Sequence, residues 1–501
     1  MNIDSLRTRV TYIAMRMRTA VRIACLAAAA SSAVALHAPR ASPASLGRLS
    51  TAAPRSSLPL APNPSAAVPR GDALRLKGGA DANTLVFSLF KAIVGSGVLC
   101  LSGGMAAFTN SRAMLLPSFA LAFVSMILSA YSYYSVGATC AATGATTYKE
   151  AWSATVGPST AWVPSLAIVS QTAVATICYA IIIGDVLRDV AIAFGATGAL
   201  ANRDVLLPSI AALVILPLCM LRDFGLLAYT SMFGVAGVLY CTLFMLYRHF
   251  SGSYSRGTEL FRSLSAAQRP SFGSSTTPLK ALILVAMFNT AYMAHYDAPK
   301  FLAMVGNRLT EFAKLTKAGF FGAFLISALI MASGFLTFGG SSMGLILNNY
   351  AAGDTLALLA RVGMLASIVF GFPLVFSGFR TGALSLLDIK APSQATLDTI
   401  AVATVSVAVG VALKMSDLGF AASFSGALLG SAIIYIFPAM MHVALAKKAV
   451  EADQQLKPKK RKGVALGNEA YMNYGIMALG VALAGIGASV SYLQSFTDIL
   501  N

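Results

Sequence analysis

The chain has 501 residues, 57% of them hydrophobic and only 11% charged, with a mean hydropathy of +0.72 and a formal net charge of +18. A soluble domain carries about 25% charged residues, so a water-soluble enzyme is excluded. Disordered, collagenous and coiled-coil chains are excluded too, because apolar stretches of about 20 residues recur from Leu85 almost to the C-terminus.

Residues 1–80 read as an address before they read as structure. They are basic, with eleven Lys/Arg against Asp4, Asp72 and Asp81 over residues 1–82. Arg16, Arg18 and Arg22 precede an apolar run from Ile23 to Leu36 that ends in a small-x-small site, Ala33-Val34-Ala35. From His37 to Lys77 the chain is rich in Ala, Ser, Pro and Arg with a single acid, Asp72, the composition of a transit peptide. A signal followed by a transit segment resembles the bipartite targeting sequence of algae with secondary plastids. The expected location is then a plastid envelope. A disordered cytosolic tail or an overlong gene model are the alternatives, with the plasma or vacuolar membrane as destination.

A hydrocarbon core about 30 Å thick takes about 20 apolar residues per helix. That ruler places spans near 84–108, 113–136, 160–187, 204–221, 226–248, 278–301, 316–339, 355–387, 394–414, 417–445 and 470–493, eleven in all. The polar loop 249–277 and the basic run Lys457 to Lys462 are the most distinct breaks. An N-terminus inside puts 18 loop-flanking basic residues on one side and 9 on the other. The positive-inside rule therefore favours N-terminus inside and C-terminus outside. The basic surplus follows from that rule, and no basic-aromatic pattern points to nucleic acid. The six Cys (25, 100, 140, 178, 219, 241) lie far apart, without metal or disulfide spacing, and are read as packing residues.

Two spans carry interruptions. The first contains Lys91-Ala92-Ile93-Val94-Gly95-Ser96-Gly97-Val98, with two glycines in mid-membrane, where no water satisfies a freed backbone group. The sixth contains Phe288-Asn289-Thr290-Ala291-Tyr292-Met293-Ala294-His295-Tyr296-Asp297-Ala298-Pro299, polar groups ending in Pro. Gly-x-Gly alone is compatible with close helix packing. Interrupted helices at corresponding positions of two five-helix halves, however, point to a substrate site at the bilayer midplane. The halves share no visible sequence identity.

At this point the residues resemble a family. LFKAIVGSGVLCLSGGMA (89–106), LPLCMLRDFGLLAYTS (216–231), AYMAHYDAP (291–299), FGGSSMGLILNNYAAGDTLALLARVG (338–363) and FPLVFSGFR (372–380) look, in order, like blocks of the amino acid/auxin permease family, particularly its neutral amino acid transporter branch. That family lies within the amino acid-polyamine-organocation superfamily. The resemblance implies an all-α membrane protein of the LeuT-type inverted-repeat fold, with helices 1 and 6 discontinuous, over residues 83–493. It implies secondary transport of small neutral amino acids, with membrane lipid as surroundings and no cofactor, metal or nucleic acid. Carried onto this chain, the substrate carboxylate falls on the backbone of Gly95, Ser96, Gly97 and Val98. The amino group meets carbonyls around Ala92–Ile93 and Asn289–Ala291, unwound backbone in both spans. Asn289, Thr290 and Tyr292 are candidates for the pocket wall, each equally readable as a packing residue.

The sodium-coupled branch of that family has Asn before the Ala-Ile-Val-Gly-Ser-Gly run and Thr two residues before the Pro of helix eight; this chain has Lys91 and Gly371. An ammonium has no lone pair for sodium, and Gly offers only backbone. The expected coupling is therefore proton-driven or sodium-independent, with Lys91 and His295 as coupling candidates. Lys91 lies about 12 Å of helix into its span, where burial costs at least about 2.5–3.5 kcal/mol, and snorkelling to the inner interface is the competing reading. Asp297 is expected to pair with Lys300, and Arg361 and Arg380 to anchor helix eight. A transporter-like amino acid sensor that signals to a soluble partner is the alternative function. Gly340-Ser341-Ser342-Met343-Gly344 fits the GxSxG pattern but follows an apolar helix instead of a strand, so no hydrolase is expected. Gly426-Ala427-Leu428-Leu429-Gly430 reads as a helix-packing pair.

Overall fold

The computed structural model describes residues 82–221, 225–389, 391–415, 417–455 and 467–496. The targeting reading of residues 1–80, and the basic residues Arg222, Lys390 and Lys457 to Lys462, lie outside the described residues. Among those described, the secondary structure is helical, with two isolated β-bridges and no strand. Among the described residues, eight continuous helices are long and apolar enough to cross a membrane, from Arg112–Thr143 to Asn468–Phe496, and the pair Leu85–Ile93 and Gly97–Phe108, bent by 45°, makes a ninth. The expected fifth span is the 26-residue helix Gly225–Phe250. The expected sixth is split into Ala281–Ala291 and Ala298–Met304, neither of which can cross alone.

The packing repeats after five spans. The first span packs on the seventh as the sixth packs on the second, and the fifth packs on the seventh and eighth as the tenth packs on the second and third. The third meets the ninth as the eighth meets the fourth, and the first and sixth meet each other. Five crossings return the chain on the opposite face, so the second half of this pattern is inverted relative to the first. Such inverted repeats are one of the standard constructions of secondary transporters. The symmetry lies in which helices touch, although the two halves share no visible residues.

Both breaks have local causes. Helix Ala82–Ile93 stops where Val94 N–H closes the last turn on Phe90 O at 2.7 Å and Gly95 N–H turns back to Ile93 O at 3.0 Å. The chain resumes as a 3₁₀ turn, Ser96–Cys100, running into helix Leu101–Phe108. In the sixth span the helix persists through Asn289–Ala291, and the break falls later, over residues 292–297. The expectation of unwound backbone at Asn289–Ala291 is corrected accordingly. The first half keeps helical geometry through Ala291, and the second half starts at Ala298 with Pro299, which cannot donate to residue 295, in its first turn.

The tenth span locks the sixth in place through small residues. A Cβ on Gly426 would collide with Ala286 O and Thr290 Oγ1, and one on Gly430 would sit 3.1 Å from Asn289 Cβ. Gly426→Val should cost at least about 3 kcal/mol of stability, read as lowered thermal unfolding of the solubilised protein. Gly485→Ala, on the eleventh span with open space around it, should be neutral or stabilising by up to about 1 kcal/mol. The described cysteines, 100, 140, 178, 219 and 241, are free and buried, as packing residues would be.

Candidate functional site

The two breaks meet. A Cβ on Gly97 would lie 3.2 Å from Ala291 Cα, 3.3 Å from Ala291 N and 3.4 Å from the Thr290 carbonyl carbon, so the first and sixth backbones are in direct contact there. Beside that contact lies a cavity of about 80 Å³. It is walled by Ala92, Ile93, Gly95 and Gly97 of the first span, Thr290, Met293 and Tyr296 of the sixth, and residues of the third and tenth. Ala92 is exposed while Gly97–Leu101 are buried, so the cavity opens toward the side from which the first span starts, here called the inner side.

Helix ends make this junction polar without charged side chains. The first N–H groups of a helical segment and its last carbonyls lack intrahelical partners. Here these are the amides of Ser96 and Gly97, Val98 N–H being taken by Gly95 O in the 3₁₀ turn, and the carbonyls of Ala92 and of Asn289–Ala291. The Gly95 amide is already used by Ile93 O. The donors stand at the positive end of one half-helix and the acceptors at the negative ends of two others, an arrangement suited to a zwitterion.

The candidate side chains divide. Thr290 lines the cavity, with its Oγ1 donating to Ala422 O at 2.7 Å. Asn289 does not line it. Its Nδ2 donates to Gly426 O at 3.2 Å and Ser431 Oγ at 3.1 Å, and its Oδ1 accepts from Tyr435 at 2.8 Å, so its side chain is a tie to the tenth span. Tyr292 is fully buried, stacked on Phe288 with ring centroids 5.8 Å apart, outside the cavity lining. His295 is fully buried, its Nε2 3.0 Å from Ser129 O, with its ring edge-on to Tyr133.

Lys91 points sideways, not back to the inner interface. Its Nζ donates to Ser367 Oγ at 3.0 Å on the eighth span, and Ser367 donates to Gly234 O at 3.3 Å on the fifth. The ammonium occupies the place of a side chain at Gly234, where a Cβ would sit 2.6 Å from Nζ. Gly371 has Tyr179 as its neighbour. A Cβ on Gly371 would lie 3.5 Å from the Tyr179 ring, and one on Gly95 3.5 Å from its hydroxyl. Tyr179 thus stands between the first and eighth spans and lines the cavity. Sequence reasoning missed it, since a lone Tyr in an apolar helix carries no local signal.

The opposite, outer side carries ion pairs around an open hollow lined by Asp185, Asp189, Arg203 and Asn348. Arg203 pairs with Asp185 at 2.7 Å and Arg361 with Asp189 at 3.4 Å. Arg361 also donates to Leu347 O at 3.0 Å and Tyr350 O at 2.7 Å. It therefore anchors the loop between spans seven and eight as well as its own helix. The GxSxG-like residues 340–344 lie on that loop, with Asn349 Oδ1 accepting from Met343 N at 2.8 Å and Gly344 against Gly419.

Residues 78–487 match the family described as transmembrane amino acid transporter protein. The mouse (Mus musculus) protein solute carrier family 38 member 8 is 26% identical over 294 residues, covering 58% of this chain and 65% of that protein. The zebrafish (Danio rerio) sodium-coupled neutral amino acid symporter 2 is 24% identical over 395 residues, covering 74% of this chain and 77% of its own length. Among solved structures, a sodium-coupled sialic acid symporter in a substrate-bound outward-open state aligns with a TM-score of 0.48 at 12% identity, covering 83% of this chain and 91% of that one.

Proposed function

Because the chain belongs to the transmembrane amino acid transporter family, we propose that it is a secondary active transporter of small neutral amino acids, working by alternating access and driven by protons. The carrying observation is the contact of the two broken spans at Gly97 and Ala291 beside a small cavity. In this reading the carboxylate binds the amides of Ser96 and Gly97. The ammonium binds the carbonyls of Ala92 and Ile93 and of Asn289–Ala291, and Thr290 and Tyr179 shape the wall. A cavity of about 80 Å³ is below the usual 300–1,000 Å³ of ligand pockets, which favours a small substrate. The inward opening of the cavity, with Gly344 of the loop between spans seven and eight seated against Gly419 of the tenth, supports reading this as an inward-facing state of the cycle.

Proton coupling rests on Lys91. Its ammonium lies between spans one, five and eight, bonded to Ser367, where a cation-binding oxygen cage would need lone pairs. The name of the zebrafish relative supplies the second reading, sodium coupling. Reconstituted protein assayed for uptake of labelled alanine in sodium, in choline and across an imposed pH gradient separates the two. Uptake that needs sodium and ignores the pH gradient would overturn proton coupling, and saturable binding without flux under any gradient would favour the sensor.

We also propose that residues 1–80 direct the protein to a plastid envelope. Fused to a fluorescent protein, they should carry it to plastids with loss of mass on cleavage. A fusion that stays full-length and cytosolic removes this proposal without touching the transporter reading.

A further inference from the structure

Most polar side chains around the cavity are satisfied by their own neighbourhood. Thr172 Oγ1 donates to Ile168 O at 2.9 Å, Thr290 Oγ1 to Ala422 O at 2.7 Å and Ser425 Oγ to Ala422 O at 3.4 Å. Gln171 is different. It lines the cavity and is 5% exposed, and its Oε1 is buried with no hydrogen-bond partner. A buried acceptor left unpaired costs about 1–3 kcal/mol, and such groups in folded proteins call for a partner outside the usual bonding.

Its position says what that partner is. Gln171 lies two turns of helix, about 12 Å, from Tyr179, toward the open inner side of the third span. Val174, Ala175 and Val375 line the cavity nearby and offer no side-chain acceptor. A zwitterion moving inward gives up the half-helix carbonyls that hold its ammonium, and in this apolar surround it needs another acceptor.

Building on the transporter reading, we propose that Gln171 forms an exit subsite that accepts a hydrogen bond from the substrate's ammonium group as it leaves the break for the inner side. Nothing in the helix packing uses this oxygen, so replacing it changes the path and spares the fold. A hydrogen bond to a charged group contributes about 1.5–3 kcal/mol, which corresponds to a change in affinity of about tenfold or more.

The test is KM measured from each side in oriented proteoliposomes with labelled alanine. Gln171→Met, of similar length and without the amide, should raise the inner KM about tenfold and leave the outer KM and the pH response unchanged. Gln171→Glu, a stronger acceptor, should lower the inner KM and admit amino acids with a cationic side chain. An inner KM that stays within about twofold of wild type in Gln171→Met overturns the subsite. So does a Gln171→Glu variant whose inner KM rises as in Gln171→Met, since the amide would then be donating. If wild-type protein binds alanine without moving it, the transporter reading fails and the exit subsite with it; intact wild-type flux with unaltered variants removes the subsite alone.

Discussion

Gly97→Val should lower amino acid uptake by about a hundredfold or more while leaving insertion into the membrane intact. The first Cβ atom already lies 3.2 Å from Ala291 Cα and 3.3 Å from Ala291 N, against backbone that has no side chain to swing away. The branched methyls must push the first and sixth spans apart or fill the space above the Ser96 and Gly97 amides. Either displaces the binding groups by about 1 Å, a shift that can cost about a hundredfold in rate. Gly97→Ala should fall between, because one methyl needs only a few tenths of an ångström of yielding. Uptake kinetics together with surface labelling of the variant checks both points. A Val variant with near wild-type KM and rate would place the substrate elsewhere than the two breaks.

Lys91→Met should abolish accumulation driven by a pH gradient, the second large effect. The ammonium is bonded to Ser367 at 3.0 Å and takes the room left by Gly234. Methionine fills that volume without charge or proton, so equilibrative exchange should survive where uphill uptake does not. Lys91→Arg keeps the charge but cannot release a proton, and should also exchange without responding to pH. The two variants together separate the charge from the proton. Lys91→Arg that still accumulates alanine against a gradient when the inside is alkaline would show that the proton is carried elsewhere.

Where the second break falls shows how far local sequence reaches. The polar residues from Asn289 to Asp297 announced an interruption, but not its place. Asn289 and Thr290 are polar, yet each is bonded to the tenth span, and those bonds let the helix run on to Ala291. A polar residue in an apolar span can be a ligand group or a tie to another helix, and the difference depends on a partner 132 residues or more away. Lys91 shows the same limit. Its depth in the span was legible, whereas its direction was decided by Ser367, 276 residues away, and by the missing side chain at Gly234.

By itself the sequence determined that this is a multi-span helical membrane protein, because transfer of apolar side chains and satisfaction of backbone groups leave helices as the solution for such runs. It also determined that the first and sixth spans are interrupted, since Gly and Pro act through local backbone geometry. The tertiary structure alone decided that the interruptions touch, that Tyr179 and Gln171 face the cavity between them, and that Asn289, Tyr292 and His295 do not line it. It also decided that Arg361 pairs with Asp189, far apart in the chain. The physical reason is range: hydropathy and backbone propensity are properties of neighbouring residues, whereas a site in a helical bundle is made where distant helices present one face each, and helical periodicity in a span apolar all round does not say which face that is.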